Sequence, residues 1–135
     1  MIDRLSNALD FQAQALNLRS ERQRLLASNI ANADTPGYLA RDIDFAGALR
    51  QATADAASPL AGLRVPRIDG SSGGVPEATL RYAVPGQTNL DGNTVDMDRE
   101  RAAFAENALK YEATLRFING QVRMLTDAMK APGQA

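Results

Sequence analysis

Phe104, Ala108, Tyr111, Leu115, Ile118, Val122, Leu125 and Met129 recur at alternating spacings of four and three without a break. Only an α-helix with one continuous apolar face satisfies that heptad spacing. A second row, Ala102, Ala105, Leu109 and Ala113, widens the face. Asp96, Asp98 and Glu100 stand where a helix N-terminus favours negative charge, and Lys130, Pro132 and Gly133 stand where the helix should fray. The pattern predicts a helix over residues 96–129. Gly120 within it costs about 1 kcal/mol relative to Ala, or marks a close contact between helices.

The N-terminal end repeats the pattern less cleanly. Ile2, Leu5, Leu9, Gln12, Leu16, Arg19, Gln23, Leu26 and Ile30 form one seam, and Ala8, Phe11, Ala15, Leu18, Arg22, Leu25 and Asn29 form a second beside it. A helix over residues 2–33 would be roughly 48 Å long at 1.5 Å per residue. The expected fold class is therefore mostly α, with the terminal helices packed as an antiparallel, coiled-coil-like pair. The packing residues expected are Leu5, Leu9, Leu16, Leu26 and Ile30 on one helix, and Phe104, Tyr111, Leu115, Ile118, Val122 and Leu125 on the other. The expected register sets Leu16 near Leu115 and Arg19 near Glu112, with the polar interruptions Gln12, Arg19 and Gln23 selecting it. A hairpin burying its own core accounts for both stripes, but it leaves the outer rows exposed unless other subunits cover them.

The first helix closes on Ser28-Asn29-Ile30-Ala31-Asn32-Ala33-Asp34-Thr35-Pro36-Gly37-Tyr38. Pro36 lacks an amide hydrogen and biases Thr35 away from helical torsions, and Gly37 takes positive φ at little cost, so the helix should stop near Ala33. Asn29, Asn32, Asp34 and Thr35 then lie where short polar side chains can bond exposed backbone groups. Asn29, Asn32, Thr35, Pro36, Gly37 and Tyr38 are the candidate turn residues.

Between the helices the character changes. Residues 58–93 hold four of the six Pro and six of the ten Gly, including Ser71-Ser72-Gly73-Gly74, which reads as a flexible loop tip. Residues 63–68 and 79–84 read either as strands of a hairpin across that tip, with Pro66 confining the first to an edge, or as disordered chain in the free subunit. Residues 45–56 read as a weak, Ala-rich helix. The divisions expected are thus 1–34, 35–57, 58–93 and 94–135.

The chain has 135 residues with 15 basic and 16 acidic side chains, a net charge of −1 and no basic patch, so neither nucleic acid nor an anionic membrane is an expected partner. It contains no Cys and no His, which removes thiol nucleophiles, disulfides, the commonest metal ligand and the neutral-pH acid-base group. No Gly-rich phosphate loop or Gly-x-Ser-x-Gly elbow supplies other chemistry. No catalytic, cofactor-binding or metal-binding residue is assigned, no cofactor or small-molecule substrate is expected, and protein partners are the expectation. The first residues carry no continuous apolar run of the kind a cleaved secretory signal needs.

The eleven-residue helix stop resembles the string that follows the N-terminal helix in flagellar axial proteins, which build the bacterial rod, hook and hook-filament junction. Ala40-Arg41-Asp42-Ile43-Asp44-Phe45 and Asp91-Gly92-Asn93-Thr94-Val95-Asp96-Met97-Asp98-Arg99-Glu100 narrow the resemblance to the basal-body rod proteins of the proximal position. It covers residues 1–48 and 88–130; Leu39 and Arg101 depart from the pattern locally. The resemblance implies a structural subunit of the rod, a drive shaft crossing the periplasm and carrying torque from motor to hook and filament. It implies as partners other rod subunits and further copies of the chain, the membrane-ring complex with its rod adapter, and the flagellar type III export apparatus, with export that needs no cleaved signal peptide. It also favours reading residues 38–45 as an extended arm contacting a neighbouring subunit through Arg41, Asp42, Ile43 and Phe45, against a loop packed on its own helices. The rival readings are another short rod subunit, a cytoplasmic helical adaptor or chaperone that folds stably alone, and more remotely a carboxylate enzyme.

Overall fold

The computed structural model describes residues 2–56, 80–82 and 89–130. In chain order it runs α1 (Ile2–Ala31), β1 (Arg41–Ile43), α2 (Phe45–Ala56), β2 (Leu80–Tyr82) and α3 (Met97–Met129). The fold is mostly helical, with the two long terminal helices packed against each other and a small antiparallel ribbon between them in sequence. No described helix is long and apolar enough to cross a membrane.

Each helix boundary has a local cause. α1 stops where its backbone tightens, with the Asn32 amide donating to both the Ser28 and Asn29 carbonyls and the Ala33 amide to the Ile30 carbonyl. Gly37 then takes φ 71°, the left-handed region that a Cβ disfavours. α2 starts on Asp44, whose carbonyl accepts from the Ala48 amide and whose carboxylate accepts from the Gly47 amide at 3.4 Å. A Cβ at Gly47 would lie 2.9 Å from that carboxylate, so a larger residue there would displace the Asp44 cap slightly. α3 starts on Asp96, whose side chain accepts from the Arg99 amide at 3.2 Å, with Asp98 and Glu100 in its first turn.

β1 pairs antiparallel with β2, Arg41 opposite Tyr82 and Ile43 opposite Leu80. Of the two candidate strands, residues 63–68 lie outside the described residues, while β2 falls within residues 79–84 and pairs with the segment after the helix stop. The reason is burial: Ile43 on β1 is 5 % exposed and joins Leu18, Leu25 and Ala48, with Phe45 and Leu49 packed around them. The apolar core therefore lies among α1, β1 and α2.

α3 is attached differently. Its buried residues are Glu100, Asn107 and Thr114, all polar and spaced by seven. Phe104, Tyr111, Ile118 and Leu125 line the same seam half-buried, against Leu5, Leu9, Leu16 and Ile30 of α1, also half-buried, and Leu26, which is fully buried. Leu115 and Val122, expected in the seam, lie outside it at 39 % and 46 % exposure. The buried line has rotated toward the polar row because Asn107 finds partners there: its amide donates to the Arg19 carbonyl at 2.8 Å and to Gln23 Oε1 at 2.7 Å. Pairing buried polar groups costs far less than leaving them unpaired. The alignment lies one to two residues from the expected one, with Asn107 meeting Gln23 and Asn29 meeting Glu100. The expected Arg19–Glu112 approach is not made, because the Arg19 guanidinium stacks over Phe45 at 4.4 Å while Glu112 pairs with Arg116 on the surface.

These placements give two stability predictions. Leu26→Ala should cost about 2–5 kcal/mol in urea unfolding, whereas Val122→Ala should cost less than about 1 kcal/mol; equal losses would return Val122 to the intrachain seam. At Gly120 a Cβ would meet nothing within 4 Å, so Gly120→Ala should raise the free subunit's stability by about 0.5–1 kcal/mol, and a loss would reveal a close contact there.

Candidate functional site

The helix stop and the segment before α3 are far apart in sequence and form one polar knot. Asn93, with no exposed surface, sits beneath the end of α1. Its amide nitrogen lies 3.0 Å from the Asn32 carbonyl, 2.8 Å from that of Ala33 and 2.8 Å from that of Thr35, so two hydrogens are shared among three acceptors. Its own side-chain oxygen accepts from the Val95 amide at 2.8 Å. The turn that follows α1 cannot continue the helical ladder, so its carbonyls need donors from elsewhere, and here a remote side chain supplies them.

Asn29, 1 % exposed, performs the matching task on β1. Its oxygen accepts from the Arg41 amide at 3.1 Å and its nitrogen donates to the Arg41 carbonyl at 2.7 Å, so the side chain pairs with Arg41 as a strand backbone would. The same nitrogen donates to Glu100 Oε2 at 3.1 Å and thereby reaches α3. Tyr38 Oη bridges Asn29 Oδ1 at 3.4 Å and Ser28 Oγ at 3.1 Å. Asn32 donates to the Ser28 carbonyl at 2.8 Å, and Thr35 Oγ1 donates to Asn32 Oδ1 at 3.2 Å. Backbone bonds complete the tie, from the Gly37 amide to the Asp91 carbonyl at 2.9 Å and from the Thr94 amide to the Tyr38 carbonyl at 3.0 Å, while Thr94 Oγ1 accepts from the Ala40 amide at 2.9 Å. Gly92, at φ 78°, turns directly against Gly37, where a Cβ would lie 3.7 Å from the Gly37 Cα.

Of the expected turn residues, Asn29, Asn32, Thr35, Gly37 and Tyr38 all enter this knot, and exposed Pro36 shapes the turn before Gly37. Residues Arg41, Asp42, Ile43 and Phe45, expected to leave the helices as an arm, are docked on their own chain. Arg22 grips Asp42 with two bonds of 2.9 Å, Ile43 is in the core, Phe45 carries Arg19, and the Arg41 backbone is held by Asn29. Unpaired backbone in an arm would have to find donors elsewhere, and Asn29 meets that need within the chain. Asn93, Thr94 and Glu100 were not singled out as site residues. The readable signal was the Asp91-Gly92-Asn93 turn, whose chemistry predicts a local bend but not a bond to a helix some sixty residues earlier.

The charges around the knot are uneven. Burial pushes the Glu100 carboxyl above its ordinary value; the Asn29 hydrogen bond opposes this, the Asp42 charge adds to it, and Arg99 and Arg22 oppose it more weakly. The hydrogen bond from Arg22 to Asp42 raises the guanidinium's pKa against the effect of burial. A groove of about 1350 Å³ opens beside the knot, with Asp34, Asp96 and Asp98 on its walls together with Arg81 and Arg99. Among the described residues no group of three or more potential ligands is placed to hold a metal ion. The arrangement does structural chemistry: it fixes how α1, β1 and α3 meet.

Asn93→Ala should therefore destabilise the chain by about 3 kcal/mol, since three partly buried carbonyls lose their donor and a fully buried side chain leaves a hole; Asn93→Asp should be no better, because it sets an oxygen against them. A loss below about 1 kcal/mol in chemical unfolding would show that the knot is incidental. For Glu100, the raised folded-state pKa means that the native state binds the proton more tightly than the unfolded chain does. Its ionisation therefore destabilises the fold as pH rises from the usual Glu range through the raised value. Glu100→Gln should unfold at a higher temperature than wild type at pH 7, with the difference closing as pH falls through that window; a difference independent of pH would dismiss the burial of charge as its cause.

The comparisons with known proteins agree with this geometry. Residues 9–38, which contain most of α1 and the whole helix stop, match the family model described as flagella basal body rod protein. The chain is 48% identical over 136 residues to the flagellar basal body rod protein FlgB of Escherichia coli (strain K12), covering 97% of this chain and 99% of that one. It is 49% identical to the protein of the same name from Proteus mirabilis (strain HI4320), over 93% and 95% of the two chains, and 43% identical to that of Cereibacter sphaeroides, over 90% and 93%. With near full-length identity of this order, and with the knot built from the segments that carry the resemblance, the chain belongs to the FlgB family of flagellar basal body rod proteins.

Proposed function

We propose that this chain is a structural, non-enzymatic subunit of the flagellar basal-body rod, placed at its proximal end and working by packing alone. One observation carries the reading. α3 spans 33 residues, its only buried side chains are Glu100, Asn107 and Thr114, and Leu109, Leu115, Phe117, Val122, Met124 and Met129 all stand on its outside. Leu109, Phe117 and Met124 form one exposed apolar row and Leu115, Val122 and Met129 another, and rows of that length are costly in water and ordinarily covered by partners. Neighbouring subunits cover them, through heterologous contacts that extend into a helix rather than closing into a ring.

In this reading torque passes from motor to hook and filament through the packed helices. The neighbours are further copies of the chain, the other rod subunits, and the membrane-ring complex with its rod adapter. The subunit works in the periplasmic part of the basal body and reaches it through the flagellar type III export apparatus, with no cleaved signal peptide. The attachment of α3 favours that route, because a helix whose deepest positions are polar and whose seam apolar side chains are only half-buried opens more readily than one in an apolar core and gains protection on assembly. The lack of Cys and His, and relatives that are rod proteins by name, support a role without catalysis.

A variant carrying Leu109→Ser, Phe117→Ser and Met124→Ser should keep the free subunit's stability within about 0.5 kcal/mol per site, yet fail to enter basal bodies and leave cells non-motile. Normal incorporation of that variant would overturn the reading. Hydrogen exchange gives a second readout: amides of α3 should be weakly protected in the monomer and strongly protected in isolated basal bodies, whereas full protection in the monomer would favour a self-contained adaptor.

A further inference from the structure

Between α1, α2 and α3 lies a pocket of about 330 Å³ whose apolar walls include Phe11, Ala15, Phe45, Leu49 and Phe117. Its charged lining residues are Arg19 and Lys110, and Lys110 is already paired with Glu106 one turn earlier on α3, which leaves Arg19 as the pocket's available cation. Arg19 Nε is buried there without a hydrogen-bond partner, and desolvation together with the nearby Arg22 charge lowers the pKa of its guanidinium, with the Glu106 carboxylate opposing this more weakly. A cation so placed favours an incoming anion, and the apolar walls favour an incoming apolar side chain. At the knot end of the subunit, away from this mid-helix pocket, the turn over residues 89–92 presents that combination. Leu90 is fully exposed and is followed by exposed Asp91, and the turn is held rigid by the Gly92 amide donating to the Asn89 carbonyl at 2.9 Å and the Asn89 amide to the Asn93 carbonyl at 3.2 Å.

The two features do not meet within one chain. The turn lies just before α3, and the pocket reaches Thr114, about 26 Å along that helix from its first residue at 1.5 Å per residue. We infer that the turn at Leu90–Asp91 of one copy docks into the Phe11–Phe117 pocket of a second copy, Leu90 filling the cavity and the Asp91 carboxylate approaching the unpartnered Nε of Arg19. A lone leucine side chain occupies well under half of such a cavity, which leaves room for the turn's backbone to follow it. Knob and pocket lie on different surfaces, so the contact is heterologous and each copy offers a free pocket and a free knob to the next, staggered along the helix axis. The inference rests on the rod reading above and adds a specific pair of contact surfaces to it.

The test places a photo-crosslinking amino acid at Leu90 of the full chain, in cells whose own copy it replaces, and identifies the adduct in isolated basal bodies by mass spectrometry. Because Leu90 is fully exposed, the substituted chain should melt at the wild-type temperature, which separates loss of docking from loss of fold. The expected adduct joins Leu90 to residues 11–19 or 110–117 of another copy, and Phe117→Ser should lower its yield several-fold. An adduct to a different protein or a different face, or no adduct in basal bodies that contain the chain, overturns the docking and leaves the rod reading standing. If the wild-type chain itself is absent from basal bodies, the rod reading fails and this inference falls with it.

Discussion

The amide of Asn93 is the interaction on which the other contacts depend. The turn after α1 leaves the Asn32, Ala33 and Thr35 carbonyls outside the helical ladder, and the stop at Pro36 and Gly37 removes any chance of meeting them by continuing α1. Asn93 meets three of them from a position just ahead of α3 and in doing so fixes where α3 begins relative to where α1 ends. Asn29 repeats the device one turn earlier, holding the Arg41 backbone and touching Glu100. Two asparagines thus set the crossing of three elements, since a side-chain amide can donate and accept at once where an aliphatic side chain can only fill space.

From that fixed point the chain divides into parts of different strength. On one side of α1, Leu18, Leu25, Ile43 and Ala48 form an apolar core with α2 and β1. On the other side α3 lies along a seam in which Glu100, Asn107 and Thr114 take the deepest places. Polar residues at such positions sacrifice stability for a single register, and their partners show the selection at work, because Asn107 can bond Arg19 and Gln23 together in only one alignment. Asn107 Oδ1 and Gln121 Oε1 remain buried without partners, a further cost that loosens the seam. A subunit built this way has a firm end at the knot and a long helix whose outer face is available for assembly.

The existence of the helices was legible because periodicity is a local property: the amphipathic stripes and the Asp96 cap placed α3 within a residue, and the Pro36-Gly37 stop placed the end of α1 within two. The chemistry of the helix stop was legible in kind, since Asn29, Asn32 and Tyr38 were readable as turn residues from side chains that compete for backbone. Membership in a rod-protein family was legible from the segments around Asn29 and Asn93, which turned out to meet in space.

The tertiary structure decided what those segments touch. A stripe of apolar residues states that a helix has a face, but the wide faces of α1 and α3 permit several alignments of similar apolar burial. The choice fell to Asn107, Asn29 and Asn93, whose bonding partners are carbonyls and side chains distant in the chain. That choice sent Leu115 and Val122 outward and Glu100 inward, against the hydrophobic pattern. It also folded the segment after the helix stop onto α1, because the Arg41 backbone found its pairing in the side chain of Asn29. The sequence by itself determined the elements, through periodicity and capping, which act over a few residues. Their register and the fate of the connecting strand were decided only in three dimensions, because buried polar groups must be paired and their partners lie far away along the chain.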